Sequence, residues 1–299
     1  MTERTMNFMR NSLGRLLPLT SRKRNAVALG PPEPPAIPDR PDKLTQEITA
    51  MSFNVLTNVG AHHGKPSLAK RYNGVLRTIL DERPDSVGLQ EAHELWRGPL
   101  KQDLGEAYGV ACDKGRVFGF HEGTPIYYLK DKYDLLNEGV FWLSERPGRA
   151  SMGWDAVCPR IAGWAVLRDK RTGFTYAHFN THFDHKGPAA RVNGARLMAE
   201  RIAALGLPAV LTGDLNGGPG SPPMEYLAAG GLTDLRFYAP ETDTGFTHHG
   251  YRGCAGVIDY VYANHYLRSA KQFKVIRDEY DGIYPSDHFA VSATLTLAN

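Results

Sequence analysis

The chain has 299 residues, of which 42% are hydrophobic, and its formal net charge is +3. A chain of this length and composition can bury one large core or two small ones, and without an apolar span of about 20 residues it has no expected transmembrane helix. Its three cysteines, Cys112, Cys158 and Cys254, are odd in number and far apart, which argues against a disulfide framework or a zinc site and indicates reduced structural thiols.

Basic residues concentrate at the start of the chain. Residues 1–32 carry a net charge of +5, from six basic side chains and Glu3, which leaves −2 for residues 33–299. The composition of this larger part is not that of a basic nucleic-acid binder. Any attraction to nucleic acid or to a membrane would have to come from the tail or from a local patch.

The first 44 residues have the composition of a tail followed by a linker. Residues 1–30 lack the continuous apolar core of a secretory signal. They fit a disordered basic tail, or a short helix in contact with anionic lipid through Phe8, Leu13, Leu16 and Leu17. GPPEPPAIPDRPDK, with six prolines in fourteen residues, is typical of a stiff extended linker. We expect residues 1–44 to be disordered, residues 45–299 to fold, and the protein to be cytoplasmic, with weak membrane contact through residues 1–32 as an alternative.

From Thr45 onward, β-rich and helix-like segments alternate. Apolar residues at helical spacing predict helices at 67–84, where the pattern stops at Pro84, and at 188–205. Runs of β-branched and aromatic residues predict strands at 47–57, 86–91, 210–216, 257–263 and 287–297, two strands joined by a turn at 124–144, and a hairpin at 163–185. These segments indicate one α+β domain in which helices cover the faces of the sheets.

Polar clusters adjoin several of the predicted strands. Alternate side chains in a strand point to the same face, so Asp214 and Asn216 could project together into a site, although both residue types are also common in plain turns. Clusters rich in oxygen ligands, with no cysteine beside them, suit Mg²⁺ or Mn²⁺. The clusters are Phe53-Asn54-Val55, Leu89-Gln90-Glu91, Asn180-Thr181-His182, Gly213-Asp214-Leu215-Asn216, Ile258-Asp259-Tyr260 and Ser286-Asp287-His288.

The order FN, LQE, NTHxDH, GDLN, IDY and SDH resembles the endonuclease/exonuclease/phosphatase superfamily over roughly residues 48–296. One tripeptide alone is weak support, but six in series are specific. The superfamily includes pancreatic deoxyribonuclease, abasic-site endonucleases, deadenylases, inositol polyphosphate 5-phosphatases and neutral sphingomyelinases. The resemblance implies a four-layer α/β sandwich, an α+β fold of two packed mixed β-sheets flanked by helices, with the site where strand ends converge.

The resemblance also implies which residues hold a divalent cation, Mg²⁺ or Mn²⁺. Glu91 matches the main metal ligand, and a carboxylate is the correct type for a hard dication. Asn54 and Asp287 match positions that complete the environment of that metal or of a second one. An asparagine at the end of a strand can equally act only as a hydrogen-bonding residue, and this alternative stays open for Asn54.

A second group of residues matches the positions that handle water and protons. Asp214 matches the residue that orients or deprotonates the attacking water, and Asn216 matches the one that holds this water or a phosphate oxygen. His288 and Asp259 resemble a His–Asp pair, in which the carboxylate fixes the tautomer of the ring. His182 matches a position that donates to a phosphate oxygen or the leaving group.

Other polar residues are candidate substrate contacts. Arg160 in CPRIAGW could bind phosphate through two donors, or it could be an ordinary surface arginine before a strand. Asp184 and His185 follow His182 and fit a substrate loop, a pair of groups that support the site from behind, or a plain polar turn. His249 lies in a Gly- and His-rich segment that fits either a loop over the pocket or a flexible connection.

The leading functional prediction is a metal-dependent phosphoester hydrolase, a phosphodiesterase or phosphatase that acts on a small or lipid-linked phosphoester. The segments between the shared motifs resemble a bacterial branch of the superfamily. A Mg²⁺-dependent endo- or exonuclease on DNA or RNA is the first alternative, and the charge of residues 33–299 argues against it. The second alternative is a non-catalytic binding protein with the same fold. The sequence indicates no protein partner.

Overall fold

The structure is a computed structural model, and it describes residues 44–57, 65–113, 123–251, 253 and 256–299. The predictions for the basic tail, for most of the linker, for membrane contact through residues 1–32 and for Cys254 concern residues outside these ranges. Within the described ranges, no helix is both long enough and apolar enough to cross a membrane.

The described residues form thirteen strands and five helices. In chain order these are β1 (Thr45–Asn54), α1 (Leu68–Glu82), β2 (Ser86–Gln90), α2 (Glu94–Asp103), β3 (Tyr108–Ala111), β4 (Ile126–Leu129), β5 (Tyr133–Trp142), β6 (Ile161–Asp169), β7 (Thr175–His182), α3 (Pro188–Leu205), β8 (Ala209–Asp214), α4 (Pro222–Ala229), β9 (Thr233–Asp234), α5 (Leu235–Tyr238), β10 (Glu241–Thr242), β11 (Asp259–Ala263), β12 (Leu267–Ile276) and β13 (Ala290–Ala298).

The strands make two mixed sheets. The first has seven strands in the order β10-β12-β13-β1-β2-β4-β3, and the second has six in the order β5-β6-β7-β8-β11-β9. β1 pairs in parallel with β2, and β7 pairs in parallel with β8. Most of the other neighbours are antiparallel, as in the pairs β1–β13, β6–β7 and β8–β11. The predicted α+β sandwich of two packed mixed sheets is therefore confirmed.

Three clusters of buried apolar side chains define the layers. One cluster joins the facing sides of the two sheets, with members such as Ile48, Leu167 and Val291. A second packs the outer face of the six-stranded sheet against α3 and α4, and a third packs the outer face of the seven-stranded sheet against α1 and α2. Each sheet is thus covered by the other sheet on one face and by helices on the other.

Most of the elements predicted from local pattern are present. α1 and α3 confirm the two predicted helices, and β6 and β7 pair as the predicted antiparallel hairpin. α3 begins at Pro188 and ends before Gly206, whose positive φ of 65° suits the end of a helix. The two strands predicted within 124–144 are also present as β4 and β5, but they belong to different sheets.

Several elements were not predicted. α2 contains Gly98 and Pro99, two residues that disfavour a helix interior. β12 carries many polar side chains and lies near an edge of its sheet. Its apolar pattern is therefore weak, since only part of such a strand faces the core.

Candidate active site

The parallel strand pairs bring the predicted polar clusters to one end of the sandwich. β1 and β2 are in register at Asn54 and Gln90, so Glu91 follows directly beside the end of β1. In the facing sheet, His182 of β7 is in register with Asp214 of β8, and Asp214 is in register with Asp259 of β11. Strand pairing alone therefore places an imidazole and two carboxylates on adjacent strands.

Two of these residues have left-handed backbone conformations where their strands end. The φ angle is 57° at Glu91 and 47° at Asn216. Residues other than glycine adopt such positive values infrequently. Such conformations cluster at functional sites because the surrounding structure must hold them in place. The Glu91 carboxylate is oriented by the backbone N–H of Thr57, which donates to Oε2 at 2.7 Å.

Asn54 links the carboxylates of the two sheets. Its Nδ2 atom donates to Oε1 of Glu91 at 3.1 Å and to Oδ2 of Asp214 at 3.0 Å. Its Oδ1 atom accepts from the backbone N–H of Leu56 at 3.0 Å. The amide oxygen is thus engaged with the backbone, and the amide nitrogen faces the carboxylates. In this orientation Asn54 positions Glu91 and Asp214 relative to each other.

The Asp214 carboxylate is buried, with only 2% of the residue exposed. Its Oδ1 atom accepts from the backbone N–H of Asn216 at 3.1 Å, and its Oδ2 atom lies 3.3 Å from Nε2 of His182. Burial raises the pKa of Asp214, although the charge of His288 opposes this shift. Asn216 donates from its side chain to the Phe183 carbonyl at 3.0 Å, which ties the GDLN turn to β7.

His288 lies between two carboxylates. Nδ1 is 3.0 Å from Oδ2 of Asp259, and Nε2 is 3.7 Å from Oδ2 of Asp214. Burial lowers the pKa of His288, but the two carboxylates outweigh burial and raise the pKa above its usual range. Ligand atoms of these three residues lie within 4.8 Å of one another. The short contact between Nδ1 of His288 and Oδ2 of Asp259 gives these two residues the geometry of a His–Asp pair.

His182 is also buried, but its pKa is shifted in the direction opposite to that of His288. Burial lowers the pKa of His182 well below its usual range, and the nearby charges of Arg160 and His288 lower it further. Its Nδ1 atom is buried and has no hydrogen-bond partner among the described residues. The site therefore contains one imidazole that favours the charged form and one that favours the neutral form.

Asp287 faces a cation. Its Oδ2 atom lies 2.6 Å from Nζ of Lys65 and 3.9 Å from Nε2 of His248. Burial raises the pKa of Asp287, but His248, His288 and Lys65 together lower it well below the usual range of a carboxyl group. The ring centroids of His248 and His288 are 4.5 Å apart. Asp287 is thus a buried carboxylate that is held in its charged form.

Arg160 and His185 also line the cleft, whereas Asp184 is not among the lining residues. Nη2 of Arg160 is 3.4 Å from Nδ1 of His185. Asp184 accepts from four backbone N–H groups, those of Val157, Cys158, Lys186 and Gly187, at 2.7 to 3.2 Å. Its carboxylate is also 4.0 Å from Nε of Arg160. Asp184 therefore stabilises the loops that carry Arg160 and His185.

His249 supports the site from outside the cleft. Its backbone N–H donates to the Asp287 carbonyl at 2.9 Å, its Nε2 atom lies 3.0 Å from the Ser286 carbonyl, and its ring stacks on Phe289. The neighbouring histidine, His248, is the one that faces the cleft.

These residues surround a cleft of about 390 Å³. Most of the predicted site residues line it, whereas Asp184, His249, Asn54 and Asp259 lie behind the lining. The lining residues are Leu56, Thr57, Lys65, Glu91, Gly123, Thr124, Cys158, Pro159, Arg160, Ile161, His182, His185, Asp214, Asn216, His248, Ile258, Asp287 and His288. Sequence reasoning did not identify Lys65 or Thr124, because neither belongs to a polar cluster at the end of a predicted strand.

Two mixed sheets with polar residues at their converging strand ends are the architecture that the sequence motifs implied. The sequence profile of the Endonuclease/Exonuclease/phosphatase family matches residues 51–288, a range that includes every strand-end cluster described above. The chain belongs to this family. No match was found among curated proteins.

Solved structures of bacterial proteins are similar to this chain over most of its length. A family member from Bacteroides thetaiotaomicron is 29% identical with a TM-score of 0.77, covering 86% of this chain and 97% of that one. A member from Bacteroides vulgatus is 31% identical with a TM-score of 0.75, covering 84% and 99%. A mannosyl-6-phosphatase from Bacteroides thetaiotaomicron is also 31% identical with a TM-score of 0.75, covering 83% and 99%.

Proposed function

We propose that this protein is a divalent-metal-dependent phosphoester hydrolase whose substrates are small phosphomonoesters. The observation that carries the proposal is the link that Asn54 makes between the Glu91 and Asp214 carboxylates, at 3.1 and 3.0 Å, beside the charged His288. This link brings a hard metal ligand and a candidate base together among the residues that line the cleft. The relative named mannosyl-6-phosphatase supports the choice of substrate class.

The residues present fit a hard divalent cation. The Glu91 carboxylate lines the cleft and is oriented by two hydrogen bonds, from Asn54 and from the Thr57 backbone. Mg²⁺ and Mn²⁺ need only a few such oxygen ligands from the protein, because water and substrate oxygens complete their coordination. When bound, the cation would neutralise phosphate charge and stabilise the charge that develops during hydrolysis.

Asp214 is the candidate base for the attacking water. Because burial raises its pKa, the carboxylate accepts a proton more readily than an exposed aspartate would. Asn216 follows it in the same turn and lines the cleft, where its amide can hold the water or a phosphate oxygen. His182 lines the cleft and contacts Oδ2 of Asp214 through Nε2 at 3.3 Å, so that it helps to hold the candidate base in place.

Positive side chains make the cleft suitable for a doubly charged phosphate. His288 is held in its charged form by Asp259, and Arg160 and Lys65 also line the cleft. A phosphomonoester carries about −1.5 to −2 charges near neutral pH, and a diester carries fewer. The volume of about 390 Å³ is at the lower end of the range for small-molecule sites. Both features favour a small monoester.

The test is a substrate panel with matched carboxylate variants. Sugar phosphates, inositol phosphates, sphingomyelin, a chromogenic diester and single- and double-stranded DNA and RNA are each incubated with Mg²⁺, Mn²⁺ or EDTA. We expect hydrolysis of a monoester with Mg²⁺ or Mn²⁺, none in EDTA, and a loss of about 100-fold or more in Glu91→Gln. Glu106→Gln, which changes an exposed glutamate, is the control.

The same panel distinguishes the alternatives. Preferred cleavage of DNA or RNA, with a steep loss of rate between low and moderate salt, would contradict the monoester assignment and support the nuclease. Binding of Mn²⁺ without turnover of any phosphoester would support a binding protein instead. Equal activity of Glu91→Gln and the unmodified protein would show that the metal assignment is wrong.

A further inference from the structure

A lysine is paired with an acidic residue of the site. The Nζ atom of Lys65 lies 2.6 Å from Oδ2 of Asp287, and the exposed fractions of the two side chains are 25% and 5%. The residues are 222 positions apart in the chain. Both line the same cleft as Glu91. A buried carboxylate is stable in its charged form only with partners of opposite charge, and Lys65 makes a closer contact with Asp287 than His248 does.

The pairing occupies the oxygen through which Asp287 could reach another ligand. Oδ1 of Asp287 is buried and has no hydrogen-bond partner among the described residues. Oδ2 is the atom that contacts Lys65, and Nε2 of His248 lies 3.9 Å from the same atom. A cation that entered the cleft would therefore compete with the Lys65 ammonium for Oδ2 of Asp287.

Charge repulsion reinforces this obstruction. A divalent ion at Asp287 would lie close to the Lys65 ammonium, whose nitrogen is 2.6 Å from Oδ2 of the same carboxylate. By contrast, Glu91 is oriented by the neutral donors Asn54 and Thr57. A divalent cation should therefore bind to the Glu91 carboxylate more readily than to the Asp287 carboxylate.

We propose that Lys65 takes the place of a second divalent cation at Asp287, so that the protein binds a single ion and presents the Lys65 ammonium to the substrate phosphate. This inference rests on the proposed function, which assigns the first ion to Glu91. A lysine ammonium is a compact point charge with three donors, so it can contact Asp287 and a phosphate oxygen at the same time.

Metal stoichiometry tests the inference without reference to turnover. Mn²⁺ binding to the full chain is measured by isothermal titration calorimetry and by electron paramagnetic resonance of free Mn²⁺. We expect one ion for the unmodified protein and two for Lys65→Met, the second one weaker. Lys65→Arg, which keeps the charge, and the double variant Lys65→Met with Asp287→Asn should each bind one ion. Lys70→Met, at an exposed position of α1, is the control and should also bind one ion.

The possible results separate this inference from the function on which it rests. Two ions in the unmodified protein, or one ion in Lys65→Met, would overturn the inference even when binding depends on Glu91. No bound ion, or binding that Glu91→Gln leaves unchanged, would overturn the proposed metal site and the inference with it. Thermal unfolding verifies that each variant is folded, and Lys65→Gln repeats the test where Lys65→Met is unstable.

Discussion

The imidazole of His288 is fixed by Asp259: Nδ1 of the ring lies 3.0 Å from Oδ2 of the carboxylate, and both residues are buried. This contact determines which ring nitrogen faces Asp214 and raises the pKa of His288 above its usual range, in spite of burial. The charge of the ring therefore depends on a residue that does not line the cleft.

Asp259→Asn should leave the His288 ring in place but lower its pKa. Asparagine has nearly the same shape but no negative charge, so the pKa of His288 should fall and the charged ring should be lost at a lower pH. We expect kcat to fall about 10²- to 10⁴-fold, with the alkaline limb of the pH profile displaced to lower pH. NMR titration of the metal-free protein measures the pKa of His288 directly.

The control for this prediction is Asp134→Asn, which removes an exposed carboxylate that pairs with Arg168 at 3.0 Å. It should leave kcat and the titration of His288 unchanged. An unaltered pKa of His288 in Asp259→Asn would contradict the assigned pair.

Asn54→Asp should make the thermal stability of the protein depend more strongly on a divalent cation. The variant replaces the amide that links Glu91 and Asp214, at 3.1 and 3.0 Å, with a third carboxylate of the same size. Like charges at this distance destabilise a buried site, and a divalent cation would relieve the repulsion. We expect a lower unfolding temperature than that of the unmodified protein in EDTA and a larger gain on addition of Mn²⁺. Equal gains in the two proteins would show that Asn54 does not join these carboxylates.

His178 should make the protein sensitive to acid. The ring is fully buried between Ser86 Oγ and Thr212 Oγ1, at 2.8 Å from each, and burial lowers its pKa to about 3. In the unfolded chain a histidine binds a proton near pH 6.5. Between these values the unfolded state binds more protons, so stability falls as pH falls, by up to about 1.4 kcal/mol per pH unit from this group.

Urea unfolding at pH 7.5, 5.5 and 4.5 checks this effect. His178→Gln should be less stable at pH 7.5, because it loses contacts between the sheets, and the difference from the unmodified protein should shrink as pH falls. Parallel loss of stability in the two proteins would mean that His178 is not the responsible group.

Arg71 should stabilise the loops of the site by satisfying their buried backbone carbonyls. It is 1% exposed, and its guanidinium donates to the carbonyls of Val55, Leu56 and Pro285 at 2.6 to 3.0 Å. Arg71→Met would leave these buried acceptors without their donor, at a cost of about 1–3 kcal/mol for each unsatisfied group. Urea unfolding should show a loss of several kcal/mol, whereas Arg77→Met, at an exposed position of the same helix, should cost little. A small effect in Arg71→Met would show that water or other donors replace it.

The prediction from sequence was most complete where local pattern was sufficient. Helical spacing of apolar residues located α1 and α3, and the hairpin of β6 and β7 followed from two β-rich runs around a polar turn. Local pattern also located polar residues at strand ends. It did not show that Gly88 in β2 faces the other sheet so closely that an added Cβ would collide with Thr212 and Asn180.

Other positions were misleading when judged locally. Arg71 interrupts the apolar pattern of its helix, yet it is buried, and four backbone carbonyls accept its donors, those of Val55, Leu56, Pro66 and Pro285. Asp184 follows His182 in a promising motif, yet its carboxylate is engaged with four backbone N–H groups and lies outside the cleft lining. In both cases the partners lie in other segments, which periodicity does not describe.

The sequence by itself determined the family, the α+β class and the order of the polar clusters, because side-chain alternation and strand-ending residues are properties of short segments. Only the tertiary structure decided which clusters meet. Asn54 reaches Asp214 across 160 positions, and Lys65 reaches Asp287 across 222. Such contacts depend on how two sheets pack, since packing is a collective result of burying apolar faces throughout the chain. The pairing of Lys65 with Asp287, and with it the expected number of metal ions, comes from that packing.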